Sequence, residues 1–272
     1  MAKRAGDTMT TDERRQLEQS PGDEAAFAVR RIELRDLRLV LEKGLDDFRT
    51  IPTHAFFVGI GYAVLGLVII RWSFQYALLP LVYPLIFGFA LIGPFAALGL
   101  YELSRRRERG EEARFWHMFE VRRASNRGAI LRLGLGVALA FLVWLWIAVA
   151  LVRATFGDLD ITLGAFLGQL FTTPHGWTLV IVGNLIGVVF ALAILAGTTI
   201  AFPMLVDREV DVSTAVATSL RVFAANPGPM LAWGLIVMAA LLLGALPFLL
   251  GLLVVLPVLG HATWHLYRRT VA

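Results

Sequence analysis

Six apolar blocks constrain this chain more than any other feature: Ala55–Ile70, Ala77–Leu100, Ile130–Val152, Trp177–Phe202, Met230–Leu246 and Gly251–Leu266. Together they contain one charged side chain, Arg132. Uncharged runs near the ~20 residues that a helix needs to cross hydrocarbon read as membrane spans. Inside lipid the backbone must satisfy its own hydrogen bonds, so the expected fold is all-α: a polytopic bundle of six transmembrane helices. The chain is 57% apolar with a mean hydropathy of +0.69, against roughly 45–50% apolar in soluble domains. The first block and the last two are short. The last hairpin therefore either thins the bilayer or is re-entrant. No apolar leader precedes Ala55, so the first block is read as a retained membrane helix.

Orientation follows from basic residues. Apart from Arg71 and Arg153, all of the 25 Lys and Arg fall in residues 1–54, 101–132, 204–229 and 268–269. Placing these segments on one side puts both termini in the cytoplasm of a bacterial inner membrane. The pI of about 9.8 is explained by this topology, and a nucleic-acid partner is not expected. Cysteine is absent, which excludes disulfides and thiolate metal sites.

Four segments are expected. Residues 1–31 form a polar, disordered cytoplasmic tail. Residues 32–106 hold an amphipathic helix and the first hairpin. In Ile32–Thr50, Leu34, Leu37, Leu41, Leu45 and Phe48 share one face, which can lie in the membrane interface or pack on the cytoplasmic ends of the spans. Residues 107–211 hold a basic cytoplasmic segment and the middle hairpin, and residues 212–272 hold an amphipathic helix and the last hairpin. Phe115, Trp116 and Phe119, set between arginine clusters, suggest an interfacial helix.

The outer segments repeat one another. Leu45, Phe48 and Pro52 match Leu220, Phe223 and Pro227 at one offset. Gly88, Pro94, Arg105 and Arg106 match Gly251, Pro257, Arg268 and Arg269 at another, and Gly197 with Pro203 gives the glycine–proline spacing a third time. Two-span units return the chain to the same side, so the copies would be parallel repeats. Pro94, Pro203 and Pro257 are expected kinks, because proline leaves a carbonyl one turn earlier without its donor.

Phe202–Leu235, Leu256–Arg269 and Gly93–Glu111 (GPFAALGLYELSRRRERGE) carry a resemblance to the bacterial integral membrane family called domain of unknown function 2189. It extends over roughly Ile32 to the C-terminus. The resemblance implies a polytopic inner-membrane protein and transfers no catalytic or ligand residues.

Few residues are candidates for chemistry. His261 and His265, four apart on one helix face, suit a metal or haem iron, yet two histidines do not complete a zinc site. Glu102 and His117 could join them only through the fold. The plainer reading is a polar pair hydrogen-bonding neighbouring helices, with His265 at the head groups. Asp207-Arg208-Glu209 reads as a solvated turn after the fourth span, or as a gating salt bridge. Asn184, inside the fourth span, is expected to bond another helix. No catalytic residue and no cofactor is assigned. The leading reading is a non-enzymatic assembly or envelope factor. Its partners would be the bilayer, anionic lipid at the cytoplasmic face, and a membrane-protein partner or a second copy. A small-molecule transporter or channel is the alternative, and a metal- or haem-dependent membrane enzyme ranks third.

Overall fold

The computed structural model describes residues 27–51, 97–123, 126–157, 163–247 and 249–272, with isolated positions between 61 and 93. Residues 1–26 of the expected tail, most of the first span, Pro94 and most of the second span lie outside the described residues. Residues 27–31, expected to belong to a disordered tail, are described, and the Arg30 N–H donates to the Thr270 carbonyl at 2.8 Å. The rest is helical, with no strand among the described residues. In order these are α1 (Leu34–Thr50), α2 (Leu98–Glu108), the 3-10 segment η1 (Phe115–Arg123), α3 (Arg127–Phe156), α4 (Leu163–Thr172), α5 (Pro174–Thr198), α6 (Ala201–Asp207), α7 (Val212–Ala225), α8 (Pro227–Ala245) and α9 (Leu252–Thr270).

Three stretches among the described residues are long and apolar enough to cross a membrane: Arg127–Phe156, Pro174–Asp207 and Pro227–Ala245. Most of their surface faces outward, with Leu135, Trp146, Leu185, Val189 and Leu243 exposed, as expected where lipid is the solvent. The 34-residue stretch would run to ~50 Å at helical rise, longer than the hydrocarbon core. It is interrupted at Thr199–Ile200, four residues before Pro203. Proline supplies no N–H to the Thr199 carbonyl, so the break falls where the expected kink was placed. Below it, α6 is buried almost throughout against α2, α7 and α9.

The second helix of the expected last hairpin, α9, is not one of the three spans. It carries Pro257 in its interior and ends on Arg268 and Arg269. From Leu259 to Val271 it is largely buried, chiefly against α1 and α2. This half of α9 is covered by protein, where the two histidines find partners, while the two arginines at its end are exposed. The segment between α3 and α5 contains α4, which packs back on α5. Phe166 stacks beside Phe156 at 5.3 Å, and the Trp177 indole N–H donates to the Phe171 carbonyl at 3.1 Å.

A helix, α1, forms over the expected segment, but its buried face differs from the expected apolar stripe. Asp36, Leu37, Val40, Gly44 and Asp47 face inward, while Leu34 is 63% exposed and Leu41, Leu45 and Phe48 are only half-buried. The reason is Gly44. A Cβ there would lie 2.7 Å from the Ala262 Cβ, the Ala262 nitrogen and the Val258 carbonyl oxygen. Only a glycine lets the two backbones approach so closely, and that crossing sets which face of α1 turns inward. Helix α1 packs chiefly on α9. The Glu33 backbone N–H donates to Asp36 at 2.8 Å in a capping box that starts the helix.

Gly44→Ala is therefore expected to force α1 off α9 and to lower stability in detergent by about 1–3 kcal/mol. Gly128→Ala, where a Cβ meets nothing within 4 Å at the start of α3, is expected to be neutral or slightly stabilising. Thermal unfolding of the two variants beside the parent checks this.

Candidate functional site

The junction beneath this crossing is built on one carboxylate. Asp47, in the last turn of α1, is 2% exposed. Two of its partners sit on α2: the Ser104 hydroxyl donates to Oδ2 at 2.5 Å, and the Arg107 guanidinium bonds Oδ1. A third comes from α9, where His265 Nε2 lies 2.9 Å from Oδ2. Arg107 also pairs with Asp46 at 2.7 Å. Burial opposes ionisation of Asp47. The hydrogen bonds from His265 and Ser104 and the histidine charges outweigh it and hold the carboxyl down at about 2, below its ordinary 3.8.

An ionised carboxylate only accepts, so Ser104 spends its proton on Asp47. The Ser104 oxygen also lies 2.7 Å from His261 Nδ1. With the Ser104 proton committed, Nδ1 must be the donor. His261 is thus the Nδ1–H tautomer, and its Nε2, fully buried, has no partner among the described residues. Asp47, Ser104, His261 and His265 form one hydrogen-bonded chain across three helices.

A cleft of about 510 Å³ opens beside the junction. Leu39, Val40, Lys43, Asp46 and Asp47 of α1 line it, with Ser104, Arg107 and Glu108 of α2, His265, Arg268 and Arg269 of α9, and Arg30. Further ion pairs fasten its walls. Arg269 reaches Asp36 at 2.6 Å. Arg268 reaches Glu108 at 3.0 Å, and Glu108 also accepts from the Trp264 indole at 3.0 Å. The Glu33 backbone N–H, then the Arg269 guanidinium, hold the Asp36 carboxyl below the ordinary range.

Asp207 and Arg208 are not a solvated turn. Asp207 accepts from the Tyr267 hydroxyl at 2.8 Å and pairs with Arg109 at 3.3 Å and Arg268 at 3.4 Å. Arg208 donates to the Tyr267 oxygen at 3.1 Å and to the Ala272 carbonyl at 2.8 Å. The end of α6 is thereby locked to the end of α9. The expectation failed because a charged triplet after a span reads as solvated when its partners are 60 residues away. Glu209 remains exposed.

The two histidines are brought beside one carboxylate: His265, at the cleft, bonds Asp47 directly, and buried His261 reaches it through Ser104. Among the described residues no group of three or more His, Cys, Asp and Glu is arranged to hold a metal ion. Glu102 sits on α2 but turns to Arg105 and Arg106, and the His117 Nδ1 accepts from the Arg114 N–H. Asn184 is exposed on α5 and donates to the Val180 carbonyl in its own helix at 2.7 Å.

Asp47, Ser104 and Asn226 escaped the sequence reading. Asn226, between α7 and α8, is 2% exposed and ties down the N-terminal segment. Its Oδ1 accepts from the Ile32 N–H at 2.8 Å, and its amide donates to the Arg30 carbonyl at 3.1 Å. The chain ends meet beside it, where the Arg30 N–H donates to the Thr270 carbonyl and the Ala272 N–H to that of Ala28. Position on a helical face was the one available signal for Asp47: it falls three residues after Gly44, on the side that glycine marks.

Replacing Asp47 leaves Arg107 and His265 without their shared acceptor, so Asp47→Ala is expected to cost about 3 kcal/mol or more. Because the folded carboxyl is depressed below its unfolded value, the stability it adds is present above about pH 4. That stability is lost as pH falls towards 2, about 2 kcal/mol in all. Unfolding midpoints in detergent from pH 5 to pH 2.5 should show this slope in the parent and a flatter one in Asp47→Asn.

No curated protein matches the chain, and no solved structure does. The family model described as "Predicted integral membrane protein (DUF2189)" matches residues 82–207. The match takes in Gly93–Glu111 and the beginning of Phe202–Leu235, but leaves Leu256–Arg269 outside, so it is narrower than the sequence reading expected. Apolar helices and this match together make the chain an integral membrane protein, and over residues 82–207 it resembles the DUF2189 family.

Proposed function

We propose that this protein is a non-enzymatic factor of a bacterial inner membrane that binds anionic lipid at its cytoplasmic end. One observation carries the reading: the ion pairs joining separate helices gather in one layer. Arg107 with Asp46 and Asp47, Arg109 with Asp207, Arg268 with Glu108 and Asp207, and Arg269 with Asp36 all lie where α1, α2, α6 and α9 meet. Helices α3, α5 and α8 carry exposed apolar flanks. Arginine-rich helix ends beside lipid-facing surface are what an anionic leaflet attracts.

The same proposal takes six spans, with both termini in the cytoplasm, as three parallel hairpin units. The packing order supports it. Helix α1, which opens the first unit, lies on α9 of the third. Segment η1 of the second lies on α2 of the first, and α7 of the third lies on α5 of the second. Each cytoplasmic segment thus rests on the last helix of the unit before it, taken in a ring. Gly99, where a Cβ would meet the Met118 Cβ at 2.9 Å, and Ala262, which meets Gly44, are equivalent positions under the offset of the repeat. Parallel copies about an axis normal to the membrane give such an order.

Orientation is testable because the chain has no cysteine of its own. Glu33→Cys, Glu209→Cys and Thr172→Cys each place a single thiol at an exposed position. In inside-out vesicles a membrane-impermeant maleimide is expected to label the first two and spare the third. Labelling of positions 33 and 209 from opposite sides would remove the topology on which lipid binding at this face depends.

A further inference from the structure

We propose that the cleft between α1, α2 and α9 is a binding site for the phosphodiester head group of an anionic phospholipid. The proposal rests on the lipid-binding reading above and gives it a place and a chemistry. Charge is the first argument. Five cationic side chains line the cleft (Arg30, Lys43, Arg107, Arg268 and Arg269) against three acids, Asp46, Asp47 and Glu108. Those acids are already engaged, Asp46 and Asp47 by Arg107 and Glu108 by Arg268. Lys43 and Arg30 are exposed to the cleft and enter none of the described ion pairs. A guanidinium has five N–H donors, so Arg268 and Arg269 keep donors to spare after their bonds to Glu108, Asp207 and Asp36.

Preorganisation is the second argument. Arg107 is held from below by Asp47, which Ser104 and His265 fix in turn. A cation immobilised before the anion arrives loses little entropy on binding. The wall is the third. Leu39, 44% exposed, lines the cleft on α1 beside Val40. An apolar edge beside a cationic pocket matches a head group that continues into an acyl chain better than it matches a free phosphate compound.

The test uses full-length, delipidated protein in a neutral detergent. Native mass spectrometry and thermal shift are read with phosphatidylglycerol, phosphatidylcholine, glycerol 3-phosphate and inorganic phosphate. Three proteins are compared: the parent, Arg30→Glu/Lys43→Glu, and Arg38→Glu, which reverses an exposed charge on α1 outside the cleft. Phosphatidylglycerol is expected to bind the parent at least tenfold tighter than phosphatidylcholine. That preference should fall tenfold or more in the double variant and persist in Arg38→Glu. All altered residues are exposed, and unliganded melting curves confirm that each variant folds. A phosphatidylglycerol preference undiminished in the double variant would overturn the cleft while leaving lipid binding in place. An equal loss in Arg38→Glu would reduce the effect to general surface charge and also overturn the cleft. Glycerol 3-phosphate or phosphate binding as tightly as the lipid would overturn the lipid as occupant. No preference in the parent would overturn both the cleft and the reading beneath it.

Discussion

A buried carboxylate holds three helices of this protein together. Asp47 comes from α1, its hydroxyl and guanidinium partners from α2 and its imidazole partner from α9. Taking a carboxylate out of water is costly, and only several well-aligned donors offset that cost. The arrangement is therefore all-or-none: any of the three helices that moves away leaves the others with an unpaired buried charge or donor. Residues far apart in sequence are thus held in one geometry without a disulfide, which a chain lacking cysteine has no means to form.

Two kinds of surface follow from that constraint. Along α3, α5 and α8 the packing depends on close approach, and Gly187 lies where a Cβ would sit 2.9 Å from the Trp144 ring. Where α1, α2, α6 and α9 meet, ion pairs and hydrogen bonds link separate helices. A lipid solvent explains the division. Hydrocarbon provides little hydrophobic drive between helices, so shape must serve there, whereas the charged side chains gather where water and head groups can solvate their far sides. α9 passes between the two regimes, which is why it is too polar to count as a span and yet carries an apolar, proline-containing first half.

The architecture was legible in the sequence to the extent that it depends on period and hydropathy. The α3, α5 and α8 boundaries fall within a few residues of the apolar blocks, and the Pro203 break falls where an absent N–H requires it. What period alone misassigned was α1. Leu34, Leu37, Leu41, Leu45 and Phe48 have ordinary amphipathic spacing, but burial of a helix face is decided by which face its neighbour can approach. Gly44 decides it here, at the expense of Leu34. The histidine pair could be placed on one face from sequence, because a four-residue step fixes it. The carboxylate they share could not, since 214 residues separate Asp47 from His261 and no local rule spans that distance.

The same logic explains why the polar end reads as a site while consisting mostly of satisfied pairs. A purely structural layer would need only enough cations to neutralise its acids. Glu102 with Arg105 and Arg106, and Asp36 with Arg269, meet that description. Around the cleft the balance differs: Arg107 is anchored by two acids, while Lys43 and Arg30 face the opening without an acidic partner among the described ion pairs. Cations kept close together without internal neutralisation repel one another, and the folded state bears that cost. A counter-anion from outside relieves it. Under the proposed orientation that counter-anion is a head group of an anionic leaflet.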